Sequence, residues 1–337
     1  MFSPLRDSTF PHLGATLPTG QKKVLLLKPR GFCAGVIRAI DIVKIALEAY
    51  GAPIYVRREI VHNGHVVREL SEQGAVFVQE VDEVPAGQRV IFSAHGVSPA
   101  VRQLSRERNL RVIDATCPLV TKVHLEAVRF AKQGNSLILI GHRDHDEVEG
   151  TVGEAPDVTQ VVSSVEAVQH LQVPDPNRVA YLTQTTLSVD DAEDIIAALR
   201  RRFPLITGPL SQDICYASEN RQQSVRQVAP TAQLVLVVGS ANSSNSNRLV
   251  EVARKHGAVA HLVDSYAAVN PAWLDRVSTV AITAGASAPE ILVQGVINQL
   301  REHGFGQVEE VEAMVENVQF SLPPEIGRAL ANEDALR

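Results

Sequence analysis

The stretch KVLLLKPRGFCAGVIRAIDIVKIALEAYG, residues 23–51, decides how this chain is read. It opens on a short apolar run of strand length, 23–28, and then turns through Gly31, Phe32 and Cys33. After Cys33, apolar residues fall at Val36, Ile37, Ile40, Val43, Ala46, Leu47 and Tyr50, a period close to 3.6 that predicts a helix, and Gly51 stops it. Strand, turn and helix in this order form half of a parallel α/β unit. A cysteine between two glycines at such a turn is an unusual setting for a core residue.

The pattern recurs along the 337 residues. Further runs predict strands at 52–60, 75–78, 89–93, 111–114, 136–140, 158–162, 179–183, 232–239, 258–263 and 278–283, with amphipathic stretches between many of them. Cys117 is followed by Pro118 at a first helical position, and Gly134 marks a stop. Cys215 is followed by a third helical pattern with Ser218 near its start. The strand–cysteine–helix unit is thus read three times. The fold class predicted is α/β: three similar units of about 90–100 residues each, with parallel sheets and helices on their faces. The expected partition is an N-terminal extension (1–22), three α/β domains (23–116, 117–212 and 213–304) and a C-terminal segment (305–337) packing back on the core.

Composition narrows the function. Apolar residues make up 45% and aromatics only 4%, which suits stacked α/β layers. The net charge of −6 and the lack of a basic cluster argue against nucleic acid as a partner. No run reaches the ~18 apolar residues that a membrane span needs. The first residues, MFSPLRDSTFPHLGATLPTGQKK, carry three prolines and no continuous apolar stretch, so they do not read as a secretory signal. A cytoplasmic, reducing location follows as the expectation. Three cysteines, far apart at 33, 117 and 215 and without a C-x-x-C pair, do not form a disulfide framework.

Each cysteine falls at a predicted helix N-terminus, where free N–H groups and the dipole favour a thiolate. Two readings stand side by side: three separate buried thiols acting as small apolar residues, or three converging ligands. Three thiolates suit an iron–sulfur cluster with one iron left open, whereas Cys3His zinc sites normally use closer ligand pairs. Polar motifs follow other strands. His62 lies in IVHNGHVV, His95 in SAHGVS and His145 in GHRDHDEVEG. Small donors cluster in TQTT (183–186), SSNSN (243–247) and GASA (285–288). Such groups bind phosphate oxygens well, although no P-loop motif is present. Glu147, two residues after His145, reads either as a buried general acid or as one of several surface charges. In open parallel sheets all these motifs belong at the carboxyl edge of the strands, where ligands bind.

Taken together, GFCAGV.RAI, VHN, SAHGVS, DATCPLVTKVH, GH..H.EVEG, TQTTLSVDD, ICYA..NRQ, GS.NSSNSNRL and TAGASAPE resemble the LytB/IspH family of 4-hydroxy-3-methylbut-2-enyl diphosphate reductases, from about Lys23 to about Leu322. The resemblance implies three α/β domains in a trefoil around a central 4Fe–4S cluster held by Cys33, Cys117 and Cys215. It implies substrate-binding roles for His62, His95, His145, Ser243, Ser244, Asn245 and Ser287, and catalytic roles for Glu147 and Thr185. The reaction implied is the two-electron reductive dehydroxylation that ends the methylerythritol phosphate pathway and gives isopentenyl and dimethylallyl diphosphate. The partners implied are that small allylic diphosphate and an external electron donor such as a ferredoxin or flavodoxin. Two positions depart from the family pattern. Asp146 stands where Pro is frequent and is expected to disturb Glu147 or its loop. Ser218–Glu219 stands where Thr–Thr is common. Activity is expected to survive both.

Overall fold

The structure, a computed structural model, describes residues 22–327. The expected N-terminal extension, up to residue 21, and the last ten residues lie outside the described residues. In chain order the elements are β1 (Lys23–Lys28), α1 (Ala34–Tyr50), β2 (Ile54–Arg57), α2 (Gly64–Glu72), β3 (Ala75–Val78), β4 (Arg89–Phe92), α3 (Pro99–Glu107) and β5 (Arg111–Asp114). The middle of the chain holds α4 (Pro118–Lys132), β6 (Ser136–Ile140), α5 (Asp146–Glu154), β7 (Thr159–Val162), α6 (Val165–Val168), β8 (Val179–Thr183) and α7 (Val189–Arg202). Then follow α8 (Tyr216–Val228), β9 (Leu234–Val238), α9 (Ser244–Lys255), β10 (Val259–Val263), β11 (Thr279–Ala284), α10 (Glu290–Glu302) and β12 (Gln307–Glu312).

The strands form three sheets, in the orders β3-β2-β4-β5, β7-β6-β8 and β10-β9-β11-β1-β12, and every strand pair is parallel. Central strands such as LVLVV (β9) are buried along their whole length, as strands covered on both faces must be. One core joins α1 to the four-stranded sheet through Ala39, Ile42, Val43, Ile54, Val56 and Ile91. Another joins α4 to the three-stranded sheet through Val123, Ala127, Phe130, Leu137 and Leu182. The five-stranded sheet is covered on its two faces by α10 and by α8 with α9.

The expected division at 23, 117 and 213 needs two corrections. β1 does not belong to the sheet of residues 54–114: it is inserted between β11 and β12 of the last sheet. An apolar run like VLLL fits the centre of any parallel sheet, so its composition does not reveal which one. β12 was not expected to be a strand at all. Its sequence, QVEEVE, is polar because it is a sheet edge, and its glutamates pair across the ladder with lysines of β1, Glu309 with Lys23 and Glu310 with Lys28. A third difference lies before Cys215. No strand immediately precedes it; the segment bearing Pro204, Gly208 and Pro209 makes only one bridge, Thr207 to Ala180.

The outcome is a distinctive chain path. Cys33 lies where the chain leaves the five-stranded sheet and enters α1 on the four-stranded one. Cys117 lies where it leaves β5 for α4 on the three-stranded sheet. Cys215 lies where it leaves the three-stranded sheet for α8 on the five-stranded one. The cysteines are the crossings between units, not members of one unit each.

Candidate active site

All three cysteines are helix N-caps. The carbonyls of Cys33, Cys117 and Cys215 accept the first helical hydrogen bonds, from Ile37, Thr121 and Glu219 at 2.9, 2.9 and 3.0 Å. The turn before Cys33 requires glycine: Gly31 has φ +67°, and a Cβ there would stand 3.1 Å from the Ala288 carbonyl. Gly35 answers to a different need. A Cβ on it would lie 2.8 Å from the Cys117 sulphur and 3.9 Å from the Cys33 sulphur. Two sulphurs from sequence-distant turns thus converge over a residue that has no side chain. Cys215 joins them in lining one cavity of about 100 Å³.

Cys117 and Cys215 are less acidic than their helix positions suggest. Burial pushes Cys117 up to about 12 and Cys215 up to about 11; neighbouring thiolate charge adds to this, while backbone N–H groups of Leu119 and Ser218 oppose it. The dipole effect is present and burial outweighs it. Cys117 and Cys215 stay protonated at neutral pH until a strong cation replaces the protons, which is how thiol metal sites couple binding to proton release. The donor set and the space left by Gly35 fit an iron–sulfur group. Replacing Gly35 by Ala would normally favour a helix by up to ~1 kcal/mol. Here the added methyl meets the Cys117 sulphur, so the expected outcome is an intact fold, by circular dichroism, with reduced iron content by metal analysis.

The three histidines line the same cavity, each beyond the carboxyl end of a strand. His62 and His95 stack with ring centroids 3.9 Å apart and planes 17° apart. His145 meets both edge-on, at 5.2 and 5.9 Å. His62, His95 and Asp146 each place one potential ligand atom within 4.8 Å of the others. The lone pairs of stacked rings run side by side, however, and Asp146 is already committed to an ion pair with Arg58, so this cluster suits an anion better than a metal. Burial, followed by the other histidines, holds His95 well below the usual imidazole range, and burial together with His62 brings His145 down to about 4.

Glu147 lies in the first turn of α5 and is 2% exposed. Thr185, just beyond β8, donates to it twice, from its backbone N at 2.6 Å and from its hydroxyl at 2.9 Å. Burial pushes Glu147 up to about 7 against those two hydrogen bonds, and the charge of Asp213 adds to the rise. The effect expected of Asp146 therefore belongs to a different residue. Asp146 points away, toward Arg58 and within 3.9 Å of His95, whereas Asp213 reaches Glu147's surroundings from the segment before Cys215. Sequence reasoning missed Asp213 and Arg58. A left-handed backbone at Arg58 (φ 55°) carries no signal in its residue type, and Asp213 looks like any acid in a polar loop.

Ser243 caps α9, and Ser244, Asn245 and Ser287 join it on the cavity wall. Asn245 uses both ends of its amide within the protein: its oxygen accepts from Ala286 N at 2.8 Å and its nitrogen donates to Ser218 Oγ at 3.2 Å. Ser287 Oγ donates to the His62 carbonyl at 2.9 Å, which ties the GASA loop to the histidine face. The structure thus brings every candidate residue to one cavity, and it adds Tyr216 and Phe320 to the lining.

Against known families, residues 24–301 match the model described as LytB protein. This chain belongs to the LytB family. Among curated LytB relatives, the 4-hydroxy-3-methylbut-2-enyl diphosphate reductase of Rhodococcus opacus is 58% identical over 94% of each chain. That of Bordetella pertussis is 55% identical over 96% of this chain and 99% of its own. The solved E-1-hydroxy-2-methyl-but-2-enyl-4-diphosphate reductase of Plasmodium falciparum superposes with a TM-score of 0.91 at 38% identity, covering 94% of this chain and all of that one. A second solved reductase, described as the terminal enzyme of the non-mevalonate pathway, superposes at 0.58 with 28% identity over 83% of this chain. Among the described residues no helix is long and apolar enough to cross a membrane.

Proposed function

We propose that this chain is a reductase that converts 4-hydroxy-3-methylbut-2-enyl diphosphate to isopentenyl and dimethylallyl diphosphate, using an iron–sulfur cluster of the 4Fe–4S type held by Cys33, Cys117 and Cys215. The observation that carries this is the convergence of the sulphurs over Gly35 in the cavity that also holds the Glu147–Thr185 pair and the three histidines. When bound, the cluster supplies two electrons, drawn from an external donor such as a ferredoxin or flavodoxin, and an iron without a protein ligand that acts as a Lewis acid.

The reaction balances as R–OH + 2 e⁻ + 2 H⁺ → R–H + H₂O. The protein's own part is to bind the anion, place the hydroxyl and deliver protons. His62, His95 and His145, with Ser243, Ser244 and Ser287, surround the diphosphate, and the N-terminus of α9 adds oriented N–H groups. Asn245 ties the loop that carries Ser287 to the start of α9 and to α8. Binding energy gained at the diphosphate holds the other end of the substrate against the sulphur side of the cavity. Glu147, protonated below about 7, passes its proton to the Thr185 hydroxyl, which passes its own to the departing oxygen. Hydroxide is a poor leaving group and water a good one, so this transfer is the step the pair serves.

Two experiments test the reading. Under anaerobic conditions, the iron-loaded protein with reduced donor should release both product diphosphates; turnover without any electron supply would instead mark a hydro-lyase and overturn it. The second concerns protons. His95 and His145 are neutral in the free site at pH 7, and a diphosphate beside them favours their charged forms. The complex then binds more protons than the free protein. Calorimetry at pH 7 in buffers of different ionisation enthalpy should show net proton uptake, reduced in His145→Asn.

A further inference from the structure

Each helix that begins at a cysteine carries a cationic side chain in its second turn, and each cation reaches forward to the backbone just before the next cysteine. Arg38, on α1 after Cys33, donates from Nη1 to the carbonyls of Ala115 and Thr116 at 3.2 and 3.1 Å, immediately before Cys117. Lys122, on α4 after Cys117, donates to the carbonyls of Ser211 and Gln212 at 2.6 and 3.0 Å and to Asp213 Oδ1 at 2.9 Å, just before Cys215. Arg221, on α8 after Cys215, donates from Nη2 to the carbonyl of Gly31 at 2.7 Å, two residues before Cys33. The three contacts run in the same direction and close a ring. Arg221 is fully buried, and its other contacts are the Ala217 carbonyl and Glu316. Arg38 also donates from Nε to the Ser321 carbonyl at 2.7 Å.

We propose that Arg38, Lys122 and Arg221 are positioning residues that set the sides of the sulphur triangle, one side each. The chain path gives the reason. Every unit begins with the helix after one cysteine and ends just before the next, so a cation spanning its start and its end fixes the separation of two sulphurs. Arg38 holds Cys33 to Cys117, Lys122 holds Cys117 to Cys215, and Arg221 holds Cys215 to Cys33. The sheets alone leave this distance to the turns before each cysteine; charge-assisted hydrogen bonds to carbonyls make it definite. The cations also place positive charge beside the thiolates: the charge of Cys117 acts on Arg38 against the desolvation that lowers it. The inference rests on the reading of the three sulphurs as joint ligands, and it extends that reading to residues that touch neither substrate nor sulphur.

The test uses trivalent arsenic as an iron-free probe of thiol geometry, on the reduced full-length chain. Arsenite bridges three thiols, and phenylarsine oxide bridges two. With all three cysteines present, the Met variants of Arg38, Lys122 and Arg221 should each bind arsenite about tenfold more weakly or worse, the effect of losing one charge-assisted contact. The conservative Lys122→Arg and Arg38→Lys variants should recover most of the loss. The deciding arm removes one cysteine at a time. With Cys215→Ala, only the Cys33–Cys117 side remains, and phenylarsine oxide binding should weaken in Arg38→Met and not in Lys122→Met. With Cys33→Ala the two variants should exchange behaviour. Equal losses on every side would mean general loosening of the fold and overturn the proposal, as would no loss on any side. An unmodified chain that loads iron while the variants bind arsenic normally would remove the clasp and leave the ligand reading intact. A chain that binds neither iron nor arsenic at its three thiols would remove both.

Discussion

Glu147→Gln should keep its iron and its affinity for the diphosphate and lose turnover by ~10²–10⁴-fold, the usual contribution of a general acid. Glutamine preserves the shape and can still accept from Thr185 N, now at 2.6 Å from a carboxylate oxygen, but it has no proton to give at this pH. The pH dependence makes the assignment specific. Glu147 is raised to about 7, so it is protonated below that value and loses its proton as pH rises through it. The unmodified protein should therefore show kcat/KM falling on the alkaline side of about 7, and the Gln variant should retain only a small, flat rate across that limb. Normal turnover in the variant, measured beside an unchanged visible spectrum, would remove Glu147 from the proton path. A second comparison sharpens this. Asp213 adds to the rise of Glu147, so Asp213→Asn should move the limb to lower pH without abolishing turnover.

Cys117→Ser should lose both colour and activity. Its sulphur stands closest to Gly35, and the charges of Cys33 and Cys215 both act on it. A serine hydroxyl is a poor ligand for iron because it does not ionise in the accessible range, so two thiols remain for a site that needs three. The fall in activity should exceed the ~10–100-fold that loss of an outer partner of a metal ligand usually costs. A brown, active variant would refute ligation by this residue. The fold should survive, because Cys117 contributes its backbone carbonyl to α4 and serine caps a helix at least as well.

Much of this was readable in the residues. The period of 3.6 after Cys33 placed α1, Pro118 and Gly134 bounded α4, the helical pattern after Cys215 placed α8, and the apolar runs placed eleven of the strands close to where they occur. Those signals are local: a strand or a helix start is written within a few residues. The motifs that carry the histidines, serines and Glu147 were legible for the same reason, each closing a strand. What sequence could not show depended on tertiary partners. The sheet that receives β1 is set by packing against β11 and β12, not by VLLL itself. The edge strand β12 hid behind its glutamates. The weakened acidity of Cys117 and Cys215 arises from burial that overcomes a helix-end effect visible in sequence. Arg38, Lys122 and Arg221 stood inside quoted motifs at five, five and six positions after their cysteines, yet their targets are 77, 89 and 190 residues away and appear only in the folded chain.

The placement of β1 has a consequence for how the protein is made. This strand is among the first parts of the described chain to be synthesised, and its partners β11 and β12 are among the last. The four-stranded and three-stranded sheets are encoded by contiguous segments and have all their strands once residue 183 has left the ribosome. The five-stranded sheet cannot complete until residue 312 has done so. Cys33 is attached to the strand that waits. All three cysteines are synthesised by residue 215, but the strand that leads to Cys33 gains its sheet neighbours only when residues 279–284 and 307–312 follow. On the reading of the three thiols as joint ligands, a product cut before residue 307 carries all three cysteines and lacks the edge strand beside the one that leads to Cys33.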